Sequence, residues 1–153
     1  MNREIKFRAW DKSINHMSDV GEIHYCQGGI KVLGTGVHLG NGWATEANGH
    51  KNDCDVDLMQ FTGLLDNNGK EIYDGDIVKF FDECFPEEFS IGKIKWGGAD
   101  YPAYDIYVPS TKQNMEFENF CEDYNSLAGD AFCIEVIGNI YENPELIKTK
   151  ENQ

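Results

Sequence analysis

The strongest constraint on this chain is a turn. Asp66-Asn67-Asn68-Gly69 stands between two apolar segments, Leu58-Met59-Gln60-Phe61-Thr62-Gly63-Leu64 and Ile72-Tyr73. An Asn-Gly pair supplies the positive φ angles of a tight turn, so the flanking segments are expected to pair as an antiparallel hairpin. Asp74-Gly75-Asp76 repeats the device and turns the chain into Ile77-Val78-Lys79-Phe80-Phe81. Upstream, Ile5, Phe7 and Ala9 alternate with Lys6, Arg8 and Trp10, the period of a half-buried strand. Further strands are expected over residues 21–26, 30–33, 91–96, 104–108 and 132–141.

Two short helices are expected as well. Phe117, Phe120, Cys121, Tyr124 and Leu127 fall on a single helical face, which places a helix at about 116–128 with Gly129 ending it. Asn143 can cap, and Pro144 can open, one helical turn near the end. The whole reads as a mainly β protein. Residues 1–72 form an N-terminal β subdomain with a Gly-rich loop at 34–55. Residues 73–147 are expected to close into a small barrel that carries the inserted helix, and 148–153 form a tail. Gly92 and Gly138 offer the bends that closure needs.

Charge narrows the function. Twenty-seven acids against thirteen Lys and Arg give a net charge of -14. Direct nucleic-acid binding is disfavoured, because it needs a basic face to displace counterions from phosphates. An anionic membrane surface is disfavoured for the same reason. No apolar run has the length of a membrane span, and Met1-Asn2-Arg3-Glu4 leads into strand-like sequence, so a cytoplasmic location is expected. The surplus is uneven. Residues 82–147 hold fourteen acids and three bases, a net of -11, against -4 over residues 1–81.

No motif identifies an activity, and no cofactor is expected. The stretch from Gly63 to Lys70 has five residues between its glycines and Glu71 after the lysine, where a phosphate-binding loop needs four and a Ser or Thr. Asp53, Asp55 and Asp57 alternate, but Leu58 and Leu64 stand where a calcium loop needs Gly and Glu, which leaves a solvated acidic edge. His24 and Cys26 would share one side of a strand, with His16, His38, His50 and Cys54 as possible completing ligands; their spacing matches no metal signature. The five cysteines, Cys26, Cys54, Cys84, Cys121 and Cys133, contain no C-x-x-C pair and read as reduced, packed thiols.

Three segments resemble one family. Ile5-Lys6-Phe7-Arg8-Ala9-Trp10-Asp11, the central run from Leu58 through Asn68-Gly69-Lys70-Glu71-Ile72-Tyr73-Asp74-Gly75-Asp76-Ile77-Val78, and Glu135-Val136-Ile137-Gly138-Asn139-Ile140-Tyr141-Glu142-Asn143-Pro144-Glu145-Leu146 are similar, in order, to signatures of the YopX family of phage and prophage proteins. The resemblance implies an SH3-like barrel in the C-terminal half and transfers no catalytic, cofactor or metal residue. The residues that carry it are Phe7, Trp10, Phe61, Gly63, Gly69, Tyr73, Gly75, Asp76, Gly138, Asn139, Asn143 and Pro144, for which structural roles are expected. The function expected is a non-enzymatic interaction module that binds a protein partner or self-assembles. The alternative is an acidic nucleic-acid mimic that inhibits a host DNA-binding or defence protein; an enzyme or metal-binding protein is the third reading.

Overall fold

The computed structural model describes residues 4–12, 15–26, 29–34, 44–46, 56–82, 85–97, 103–116 and 132–148. The chain divides into two compact units, Met1–Phe61 and Thr62–Gln153. Among the described residues eleven strands form two sheets, and one short helix, α1 (Glu145–Lys148), follows the last strand.

The first sheet is built on β1 (Phe7–Asp11), which lies between β2 (His16–Cys26) and β5 (Val56–Leu65). Both pairings are antiparallel: Ala9 sits opposite Ser18 on one side and Leu58 on the other. Burial does not follow the alternation read from the sequence: β1 buries Ala9, Trp10 and Asp11 in succession, as a strand with a partner on each side can, and Ile5 lies ahead of it and is exposed. Ala9 is buried with Val56, and Val20 and Leu58 pack on them. Trp10 and Met59, one position on in their strands, are buried too. Beyond β2 come β3 (Gly29–Gly34) and β4 (Ala44–Glu46), and β6 (Glu71–Tyr73) follows β5. β4 falls inside the stretch expected to be loop. Its three residues are held by register with β3, Leu33 opposite Ala44 and Lys31 opposite Glu46, a tertiary pairing that thin local apolar content does not announce. Gly34 of the same stretch ends β3 opposite Val20, and the rest of the loop, 35–43 and 47–55, lies outside the described residues.

The second sheet has the order β10-β9-β8-β7-β11, where β7 is Asp76–Asp82, β8 Phe89–Trp96, β9 Tyr104–Val108, β10 Gln113–Glu116 and β11 Phe132–Asn139. Period-two burial assigns its inner face. Val78 and Phe80, Ile94, Ile106 and Val108, and Ile134 form one cluster with Ile72 from β6. Each of these isoleucines contributes roughly 1.5–3 kcal/mol by leaving water.

The expected SH3-like barrel is absent. Both sheets are open among the described residues, with β10 and β11 at opposite ends of the second. The reason lies on β11. The outward amides of Ile134 and Val136, which a closing strand would have to meet, donate instead to Asn67 Oδ1 (2.6 Å) and Asp66 Oδ2 (3.0 Å) of the hairpin turn. Side chains of a turn occupy the edge that closure requires. Of the helix expected at about 116–128, Glu116 ends strand β10 and the remainder lies outside the described residues.

Candidate functional site

Two clusters of motif residues meet in the second unit. The first is the hairpin turn. Gly69 has φ +79° and donates its amide to the Asp66 carbonyl at 2.9 Å. Asp66 organises the loop: its Oδ1 accepts the amides of Asn68 and Lys70, both at 2.8 Å, while Oδ2 reaches Val136 on β11. The Asn67 amide donates to the Ile134 carbonyl at 3.0 Å, so the turn pairs with β11 through both backbone and side chains. Gly63, with φ +93°, bends β5 just ahead of the turn, beside a Thr62 hydroxyl that donates to the Ile72 carbonyl at 2.9 Å.

The second cluster joins the Asp74-Gly75-Asp76 turn to the C-terminal motif. Gly75 has φ +79°; its amide donates to the Ile94 carbonyl, and its own carbonyl accepts the Ile140 amide, both at 3.0 Å. Asp76 is wholly buried, accepts the Tyr73 amide at 2.8 Å, and stands opposite Asn139 in the β7–β11 ladder. The Tyr73 hydroxyl donates to Glu71 at 2.7 Å.

At Gly138 the ladder shifts register, and a β-carbon there would fall on the Asn143 side chain. Asn139 Oδ1 then accepts the amides of Tyr141 (3.0 Å) and Glu142 (2.9 Å), which turns the chain towards Pro144 and α1. An Asn139→Ala variant is expected to lose about 1–2 kcal/mol of unfolding free energy, since two turn amides lose their acceptor at a buried position. Urea denaturation measures this, and a loss below about 0.5 kcal/mol would assign the turn to backbone geometry alone.

Phe7, Trp10 and Phe61 belong to the first unit and do not join these clusters. Phe7 is half-buried on β1 opposite Gln60. Trp10 lies opposite Met17 and Asp57, and the Lys6 ammonium sits 5.6 Å from the centre of the buried Phe61 ring.

Taken together, the motif residues of the second unit join turns to strands through backbone and side-chain hydrogen bonds, with Asp66, Gly75, Asp76 and Asn139 buried and Gly63, Asn67 and Gly69 exposed. Among the described residues no group of three or more His, Cys, Asp or Glu is placed to hold a metal. Asp57 pairs instead with Lys12 at 2.8 Å. His38, His50, Asp53, Cys54 and Asp55 lie outside the described residues, as do the side chains of His24 and Cys26. Cys133, on β11, is a half-buried thiol. No helix among the described residues is long and apolar enough to cross a membrane.

Asp66 and Asn67 are the residues whose importance was missed by sequence reasoning. Asp at the head of an Asn-Gly turn does signal a side chain that bonds its own backbone two residues on. Nothing in the local sequence signals that the same carboxylate reaches a strand seventy residues away.

These features define a mainly β protein of two open sheets, locked by polar turns. The model of the family described as "YopX protein" matches residues 6–148, and the chain belongs to that family. It is also similar to a solved structure, the crystal structure of protein EF1440 from Enterococcus faecalis. The TM-score is 0.57 at 26% identity, over 95% of this chain and 99% of that one. No curated protein matches it.

Proposed function

We propose that this YopX-family protein is a non-enzymatic interaction module of phage or prophage origin, which binds a protein partner or another copy of itself. The observation that carries the reading is the open second sheet. Among the described residues it ends at β10, a strand paired with β9 whose Gln113, Asn114 and Met115 are exposed. A sheet that ends on a solvent-facing strand suits strand addition, which joins chains through main-chain hydrogen bonds. The test is mass and capture. Light scattering is expected to give a mass above that of one chain, or affinity capture from phage-infected cells to recover a defined partner. A strict monomer that recovers nothing removes the proposal.

The acidic-mimic reading has the charge of residues 82–147 in its favour, and it requires those acids on one accessible face. Asp105 is wholly buried, and Lys93 and Lys95 interrupt the negative field on neighbouring β8. Competition with duplex DNA for a host DNA-binding protein decides it; failure to compete removes it.

A further inference from the structure

Residues 85–89, which lead into β8, carry an acidic and aromatic surface, and we propose that it docks a basic segment of a protein partner. The inference rests on the interaction reading above and names the surface and the chemistry of its occupant. Phe85 is 62% exposed and Phe89, the first residue of β8, 44% exposed, two large apolar side chains left in water close together in sequence. Phe85 is held by two backbone hydrogen bonds. Its amide donates to the Asp82 carbonyl, and its carbonyl accepts the Glu88 amide, both at 3.0 Å. Glu87 and Glu88 are exposed beside it, and the sequence from Phe80 through Gly92 contains no Lys or Arg.

Lys79, just ahead of this region on β7, is already engaged. Lys79 Nζ lies 4.5 Å from the centre of the Phe81 ring and 4.9 Å from that of Phe89, and 3.9 Å from a Glu135 carboxylate oxygen. Its charge faces these rings and β11, and among the described residues no ion pair compensates Glu87 or Glu88. Charge selects the occupant. A purely apolar partner would desolvate Glu87 and Glu88 without pairing them, which is unfavourable. Nucleic acid would be repelled. A second copy brings its own net charge of -14 to the contact. A partner segment that places Arg or Lys among apolar residues satisfies both features, since the cation pairs with the carboxylates or stacks on an exposed ring while the apolar residues cover the phenylalanines.

The experiment uses the full chain and a labelled peptide of alternating Arg and Leu, with binding read by fluorescence anisotropy. Phe85→Ser/Phe89→Ser and Glu87→Gln/Glu88→Gln are each expected to weaken binding about tenfold, the effect of losing anchor contacts in an interface. Glu4→Gln/Glu22→Gln removes the same charge elsewhere and is expected to leave binding unchanged. The charge variant keeps the test decisive if the serine variant folds poorly. Equal weakening by the control, no weakening by either patch variant, or no binding by the wild type would each overturn the inference. Assembly or capture of a defined partner that survives intact in both patch variants would remove this surface and leave the interaction reading standing.

Discussion

Replacing Asp66 with alanine is expected to lower the unfolding free energy of the second unit by about 3 kcal/mol, because one buried carboxylate holds three backbone amides. The three bonds do not count equally. Asn68 and Lys70 are exposed, so water replaces the lost acceptor at their amides. The Val136 amide is on the ladder edge of β11 and half-buried, and it loses a charge-assisted bond without an equivalent substitute. Asp66→Asn keeps the shape and one acceptor but presents an amide group towards donors, so its loss is expected to fall between wild type and alanine. Hydrogen exchange at the Val136 amide reads the cross-link directly, and its protection is expected to fall in Asp66→Ala more than that of Cys133 or Glu135, which face β7. A stability change under about 0.5 kcal/mol, with Val136 protection intact, would show that the turn merely rests against β11.

Asp66 also marks the boundary of what the sequence makes legible. Local patterns were readable because their physics is local: Asn68-Gly69 demands a tight turn, Gly75 a second, and alternation at Phe7, Ala9 and Trp10 a strand. The Asn143-Pro144 start of a helical turn is of the same kind, and α1 begins at Glu145. Closure of the second sheet is a different question. Whether β11 meets another strand or the side chains of a turn depends on residues some seventy positions apart, and Gly-rich bends are compatible with either outcome. The barrel expectation failed at that step. The joint between Gly75 and Ile140 was hidden for the same reason, although both ends lie in segments whose family resemblance is plain. Surface function was the least legible of all. An exposed Phe85 and a buried Phe80 have the same composition signature, and only the fold separates them.

Gly92 and Ile106 supply the other large effect, which a pair of substitutions measures. The sequence suggests that Gly92 serves a bend; the structure adds a packing reason. Gly92 is buried on the inner face of the second sheet, and a β-carbon there would collide with the Ile106 γ-methyl and approach the Tyr107 carbonyl at 3.1 Å. That methyl branches from a wholly buried side chain with no exposed end to swing away. Gly92→Ala is therefore expected to cost about 1–3 kcal/mol through overpacking. Ile106→Ala is expected to cost about 2–5 kcal/mol, the lost burial plus the cavity left behind. The double variant is expected to be more stable than the sum of the two losses implies, by at least about 1 kcal/mol, because the new methyl at 92 enters the space that Ile106 vacates. Coupling remains incomplete, since the Tyr107 carbonyl and the Phe80 ring at 3.4 Å stay in place. Additivity within about 0.5 kcal/mol in urea denaturation would mean that the methyl at 92 is accommodated by backbone movement of β8. In that case the tight contact between β8 and β9 would not be what requires glycine at this position.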